Sequence, residues 1–261
     1  MDGKVVVVTG GTAGIGRAAA ELFTKAGASV VVAARGRERG LQVEHELRAE
    51  GGTALFVQTD VSERSQVEAL IAQTVETFGR LDCAFNNAAV LGRLARSAEF
   101  SEAEFDHEVA LNLRSVWLCM KYELQQMQQQ EPGGGVIVNT SSVNGLGGAR
   151  FAALYSMSKA GILALTKSAA QEYAVDGIRV NALVAGGFDT DMLHSVLTQA
   201  TGGDEAKMQE ARKGLEGLVP IGRIGKPEEA AQAALWLCSN ESSYVTGQSM
   251  IVDGGLTAWA R

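Results

Sequence analysis

The stretch VVVVTGGTAGIGRAAAELF, residues 5–23, decides the fold. Four valines in a row do not alternate between a wet and a dry face, so they read as a strand covered on both sides, as in a parallel sheet. Gly10, Gly14 and Gly16 follow in the spacing G-x-x-x-G-x-G, and an alanine-rich helical run comes next. Glycines at such a turn let the chain double back and let a ligand approach the main chain. The helix that opens there offers unpaired N–H groups to a pyrophosphate. Tight packing of strand on helix would also use glycines. The placement of the motif, after the first strand and at the start of the first helix, is the one that dinucleotide binding requires.

Outward from this turn the same pattern repeats. Short apolar runs rich in β-branched residues lie at 5–8, 30–34, 54–57, 83–85, 136–139, 179–184 and 250–252. Segments with helical periodicity lie between them, at 18–26, 66–78, 102–128, 153–173 and 227–238. Strand followed by helix, repeated, predicts right-handed βαβ units in an α/β fold with a doubly wound parallel sheet. Only three prolines occur and no Pro/Ser-rich linker divides the chain, so residues 1–261 read as one domain. QQMQQQEPGGG (125–135) reads as a helix end and turn. The segment 188–217 shows no strand and is rich in Met, Leu, Gly and charge, which suggests a lid over a cleft.

Composition excludes several classes of function. The net charge is −7 over 261 residues, so there is no basic footprint for nucleic acid or an anionic membrane. The three cysteines (Cys83, Cys119, Cys238) are far apart and lack metal-site spacing, which argues for a reducing compartment without disulfides or zinc. The three histidines (His45, His107, His194) are equally scattered, and no metal is expected. MDGK runs straight into the first strand, leaving no room for a signal peptide, and no apolar run approaches the ~20 residues of a membrane helix. The expectation is a cytoplasmic protein.

The end of the second strand, VVVAARGRERG (30–40), bears on the choice of dinucleotide. A carboxylate there would bind the ribose 2′-OH and repel a 2′-phosphate. The sequence has Ala34 and then Arg35, with Arg37 close by, which favours NADP(H), with NAD(H) as the alternative. Arg35 could instead be solvated or stack on adenine, and Ala13 in the glycine turn offers no second phosphate partner.

YSMSK (155–159) places Tyr155 and Lys159 four residues apart on one helix face. Such a pair is either a surface pair or a chemical one. A phenol with a reference pKa of about 10 is a poor acid near neutrality, and a neighbouring ammonium would lower it. Ser142 lies thirteen residues upstream of Tyr155, at the end of the strand 136–139, where the ligand crevice of a doubly wound sheet opens. Ser141 beside it is equally available.

Together these motifs resemble the short-chain dehydrogenases/reductases, over essentially the whole chain. TGGTAGIG (9–16), TDVS (59–62), NNAA (86–89), LNL (111–113), NTSSVNG (139–145), YSMSK, VNALVAGGFDT (180–190) and VTGQSMIVDGG (245–255) stand in that family's order and separations. The resemblance implies a Rossmann-type fold and a hydride-transferring oxidoreductase acting on CH–OH groups. It implies Asn112, Ser142, Tyr155 and Lys159 as the catalytic set, Ser142 being chosen over Ser141 by its separation from Tyr155. Tyr155 would move a proton to or from the substrate oxygen. Lys159 would bind ribose hydroxyls, and Asn112 would hold a water that links Lys159 to solvent.

The same resemblance puts the cofactor against Gly10, Thr12, Gly14, Ile15, Gly16, Arg35, Asp60, Val61, Asn86, Ala88, Tyr155, Lys159, Gly186, Phe188 and Thr190. Asp60 would accept from the adenine amino group, or else cap the next helix. Substrate contacts fall on Asn144, Leu146, Met192, Leu193 and Val196, with Val143, Phe188 and Leu197 as further apolar lining, so a small, mostly apolar carbonyl or alcohol is expected. Two positions depart from the family pattern: Ala89 replaces a glycine and Ala185 a proline. The family's habit of pairing the helices 102–128 and 153–173 between subunits implies a homotetramer, with Trp259 reaching a neighbour. The competing readings are an NAD-dependent sugar or hydroxysteroid dehydrogenase, a 3-oxoacyl-carrier-protein reductase and a non-catalytic nucleotide sensor. The last would predict a broken Ser–Tyr–Lys set, and here the set is complete.

Overall fold

Seven parallel strands form one sheet in the computed structural model, which describes residues 1–258. They are β1 (Val5–Thr9), β2 (Ser29–Ala34), β3 (Thr53–Gln58), β4 (Cys83–Asn86), β5 (Gly135–Ser142), β6 (Ile178–Ala185) and β7 (Ser249–Val252). The spatial order is β3-β2-β1-β4-β5-β6-β7. Strand order reverses between β1 and β4, which pair from Val6 with Cys83 to Thr9 with Asn86. That reversal opens a crevice at the carboxyl ends of the strands, the usual ligand position in this architecture.

The helices α1 (Gly14–Lys25), α2 (Arg37–Ala49) and α10 (Pro227–Cys238) cover one face of the sheet. The opposite face carries α3 (Arg64–Phe78), α5 (Ser115–Gln129) and α7 (Ala153–Tyr173). The valine run of β1 shows why both faces must be apolar. Val6 and Val8 pack with Phe23 and Leu237 on one side, while Val7 packs with Leu70 and Ile137 on the other. Each fully buried side chain of this size contributes about 1.5–3 kcal/mol. Seven predicted strands are all present, each extended by a residue or more.

Three elements differ from the sequence reading. The run 102–128 is not one helix: α4 (Glu102–Val109) passes into a π turn, Ala110–Arg114, before α5 begins. There the Ser115 N–H bonds the Ala110 carbonyl five residues back. The helix α2 went unread because it is heavily charged and buries only Gly40, Val43 and Leu47. The segment 188–217 folds into two helices, α8 (Asp191–Thr201) and α9 (Glu205–Leu218). A short turn of helix, α6 (Asn144–Gly147), follows β5, and α7 has the predicted bounds. Trp259 lies outside the described residues.

Candidate active site

The glycine turn is built from main chain pressed on main chain. A Cβ at Gly16 would stand 2.3 Å from the Gly10 carbonyl oxygen and 2.6 Å from Asn87 Nδ2. One at Gly10 would stand 2.9 Å from Ala88 Cα, and Gly10 also has φ +66°, a conformation side chains resist. Gly14 faces Thr190, whose Cγ2 would lie 3.0 Å from a Cβ there. The N-cap of α1 is Ala13, which makes no side-chain cap, and the first turn carries no acid. No acid of its own first turn therefore competes for the first N–H groups and the dipole, a cradle that fits a pyrophosphate. A cleft of about 400 Å³ runs past it, lined by Gly14, Arg17, Arg39, Thr190, Asp191 and His194 among others. Thr12 and Ile15 are partly exposed beside the turn.

The adenosine end is set by β2 and β3. Arg35 and Arg37 are exposed and form no ion pair among the described residues. Arg17 is engaged by Glu21 and Glu46, and Arg39 by Asp191. Asp60 accepts from both the backbone N–H and the hydroxyl of Ser62, at 2.9 and 2.7 Å, so it shapes the turn before α3 rather than capping that helix, whose N-cap is Glu63. Val61 is buried in the core next to it.

Asn86 corrects a sequence expectation. Its side chain is 2% exposed and points beneath the crevice, where it bonds Glu123 and Asn139. It does not present its amide to a cofactor. The next two residues form the crevice wall, and the N–H groups of Asn87 and Ala88 both donate to Thr9 Oγ1, at 3.0 and 3.1 Å. Gly186, on the far side, packs so closely that a Cβ would meet Asp253 Cα at 2.7 Å. Asp253 itself is a turn former, accepting from Gly255 N and from Thr257.

Strand alternation separates the two serines at the end of β5. Ser141 points into α7 and donates to the Lys159 carbonyl at 2.8 Å. Ser142 points to the crevice, accepts from Asn144 N at 3.2 Å and acts on the phenol of Tyr155. Lys159 is 2% exposed, donates from Nζ to the Thr140 carbonyl at 2.9 Å and stands 5.6 Å from the centroid of the Tyr155 ring. Burial pulls the Lys159 pKa down to about 8, against the opposing pull of Glu108. Burial pushes the Tyr155 phenol up to about 12, with Ser142 opposing and Glu108 adding to the rise. Desolvation dominates, so the phenol stands above its reference value rather than below it, contrary to the expectation from the neighbouring ammonium.

Asn112 sits in the π turn, fully buried. Its amide donates to the Val90 carbonyl and accepts from Val90 N, both at 2.9 Å, and also donates to Glu108. These bonds occupy the side chain, so it fastens the segment after β4 rather than offering a free amide to water. Glu108 was missed in the sequence. It is 3% exposed, and burial raises its pKa against the pull of Asn112. Its signal was available as a carboxylate one helical turn before Asn112.

The α8 side closes the crevice. Thr190 Oγ1 donates to the Phe188 carbonyl at 3.3 Å and accepts from Leu193 N, capping α8. The Tyr155 hydroxyl lies 4.0 Å from Met192 Sδ. Met192, Leu193 and Val196 are partly exposed, Leu146 is 44% exposed, and Asn144 opens the short turn of helix beside Ser142. Phe188 and Leu197 belong instead to the interior, at 6% and 5% exposed, so their side chains do not line an open cleft.

A family model described as enoyl-(acyl carrier protein) reductase matches residues 10–257. A 2,5-dichloro-2,5-cyclohexadiene-1,4-diol dehydrogenase of Sphingobium indicum is 41% identical, over 99% of this chain and 98% of its own length. The solved structure of levodione reductase superposes with a TM-score of 0.94 at 34% identity, covering 100% of both chains. An actinorhodin polyketide ketoreductase solved with NADPH superposes with a TM-score of 0.92 at 37% identity, covering 98% of each.

Proposed function

The chain belongs to the short-chain dehydrogenase/reductase family, oxidoreductases of alcohol and ketone groups, and from that premise we propose an NADP(H)-dependent enzyme that interconverts a mostly apolar ketone or aldehyde with its alcohol. The observation that carries this reading is the convergence of Ser142, Tyr155 and Lys159 at the carboxyl end of β5, beside a cradle that only glycines can form.

A nicotinamide bound in the crevice would supply or accept the hydride. Tyr155 Oη gives its proton to the carbonyl oxygen in reduction and takes it from the alcohol in oxidation. A phenol pushed up to about 12 stays protonated at neutral pH but is a weak acid there, so its proton transfer depends on groups that stabilise the phenolate. The Ser142 hydroxyl donates to the same substrate oxygen and stabilises the charge that develops there. Lys159, protonated below about 8, offsets the phenolate that forms when Tyr155 gives up its proton. Arg35 and Arg37, exposed just after β2, would pair with a ribose 2′-phosphate. Thr190 and the backbone at Phe188 would hold the carboxamide end of a bound nicotinamide. Met192, Leu193, Val196 and Leu146 supply apolar walls, and Asn144 supplies one polar partner. Few fixed charges lie among these residues themselves, which disfavours a phosphorylated or strongly anionic substrate.

The assembly is proposed to be a cytoplasmic homotetramer. An apolar hollow of about 490 Å³ along α5 and α7, lined by Leu113, Trp117, Gly161, Ala164 and Leu165 among others, supports pairing on those helices.

The test is initial rates with NADPH and with NADH over a panel of cyclic and open-chain ketones. Tyr155→Phe is expected to lower kcat by about 10²–10⁴-fold. Arg35→Ala is expected to weaken NADPH use by roughly 10- to 100-fold and leave NADH use little changed. Equal wild-type rates with both cofactors, or a fully active Tyr155→Phe, would overturn the cofactor or the catalytic assignment respectively.

A further inference from the structure

Beneath the cradle, on the face of the sheet that carries α5 and α7, four polar side chains are sealed in the core. Asn86 donates from Nδ2 to Glu123 Oε2 at 2.9 Å and to Asn139 Oδ1 at 3.1 Å. Asn139 Nδ2 in turn donates to Thr166 Oγ1 at 3.0 Å and to Met120 Sδ at 3.2 Å. None is more than 2% exposed. Two buried side-chain atoms among the described residues have no hydrogen-bond partner, Asn86 Oδ1 and Glu123 Oε1. They belong to the two members of a single bonded pair. Both are acceptors if Glu123 is ionised, and a buried acceptor without a donor is costly.

One proton removes both orphans. A carboxylic acid and a carboxamide are complementary: each offers one donor and one acceptor on adjacent atoms. We propose that Glu123 is a neutral carboxylic acid whose Oε1–H donates to Asn86 Oδ1, closing a two-bond ring with Asn86, and that this ring is the positioning device for the cofactor wall at Asn87 and Ala88.

The surroundings agree. No cation faces the carboxyl. On α5 the nearest ionisable group is the Cys119 thiol, which burial and Glu123 push up, so it is neutral. The partners from β4, β5 and α7 are Asn86, Asn139 and Thr166, all uncharged. Lys159 is turned to the Thr140 carbonyl, Lys121 lies over the rings of Trp117 and Tyr122, and Arg64 of α3 bonds the Tyr122 hydroxyl and Glu68 at the surface. Burial pushes the Glu123 carboxyl up to about 8, with the Asn86 hydrogen bond opposing.

The ring lies one residue before the site. Asn86 is the last residue of β4, and Asn87 N and Ala88 N bond Thr9 Oγ1 while Ala88 Cα packs under Gly10. Fixing Asn86 therefore fixes how closely the two turns of the cradle meet. Only this last step rests on the cofactor reading; the ring itself does not.

The sign of the pH effect follows from the proton count. The folded protein holds a proton on Glu123 that the unfolded chain releases above the ordinary glutamate pKa. Stability from this group is complete below that value, about 4.3, and is lost as pH rises to about 8. Glu123→Gln is the decisive variant, because its amide offers an N–H to Asn86 Oδ1 and a carbonyl to Asn86 Nδ2 without titrating. Between those limits the folding equilibrium constant of the wild type relative to Glu123→Gln should fall by up to about tenfold per pH unit, then level off.

Infrared spectra of the wild type at neutral pH should show the C=O stretch of a protonated buried carboxyl. The band should shift in D2O, disappear on raising the pH through about 8 and be absent from Glu123→Gln. A ratio that does not change with pH, or no such band, would overturn the ring. For positioning, Glu123→Leu should weaken NADPH binding by roughly tenfold, whereas Glu123→Gln should rescue it. Equal NADPH affinity in the Leu and Gln variants would overturn the positioning role. Failure of the wild type to bind NADPH would overturn the cofactor reading, and the infrared band and pH ratio would still decide the ring.

Discussion

The glycine cradle after β1 and the helical pair α8–α9 face each other across one crevice and are built on opposite plans. In the cradle, backbone packs on backbone, and Gly16 leaves 2.3 Å between an added Cβ and the Gly10 carbonyl oxygen. In the helical pair, α9 buries no residue and α8 buries only Leu197. What ties α9 to the crevice is a forked pair at the surface, Arg212 to both carboxylate oxygens of Asp189 at 2.9 Å. A ligand shared by many enzymes suits the rigid wall. A substrate that differs between relatives suits the wall held by few buried contacts, which opens at low energetic cost.

The contrast can be broken most severely at Gly16. Gly16→Ala should abolish tight NADPH binding and destabilise the fold by roughly 1–3 kcal/mol, because the obstructing atoms belong to the main chain and an internal amide. Denaturant melts together with NADPH titration check this. A variant that binds normally would show that the cradle is looser than its glycines imply.

Lys159 lies between the two plans and sharpens the comparison through pH. Its ammonium is lost above about 8, so kcat/KM for ketone reduction should fall by up to about tenfold per pH unit beyond that point. NADPH affinity measured in parallel separates a binding effect from a chemical one. A reduction profile flat to pH 10 would remove Lys159 from the proton chemistry.

The smallest effect is expected at the helical pair. The Arg212–Asp189 pair is exposed, so Arg212→Gln should change stability by no more than about 1 kcal/mol. Substrate KM should rise by about twofold to fivefold with NADPH affinity unchanged. A loss of cofactor affinity instead would mean that α9 supports the cradle as well.

Legibility followed the same division. Strands with both faces buried are written as largely apolar runs, and all seven could be read even though buried Asn139 and Asn181 interrupt two of them. The α2 helix escaped because three buried residues among thirteen leave a charged surface pattern. The π turn at Ala110–Arg114 escaped because one extra residue per turn barely disturbs the apolar stripe of a long helix. The order of Ser142, Tyr155 and Lys159 was legible through spacing, but their electrostatics were not. Desolvation of Tyr155, the Thr140 carbonyl under Lys159 and the carboxylate of Glu108 are products of packing. Asn86 was misread for the same reason: a motif gives its place in the chain, and only the sheet shows which way it faces.

The burial of Cys83, Cys119 and Cys238 carries a practical consequence. Burial pushes the Cys119 thiol up, and Cys238 is raised by its neighbour Cys83 as well as by burial. A protonated, enclosed sulfur is a poor nucleophile. The native protein should therefore tolerate air and alkylating reagents without an added reductant. Each thiol becomes a clock instead: the rate at which it is labelled reports how often the layer around it comes apart, with the Cys119 side and the Cys83–Cys238 side of the sheet keeping separate time.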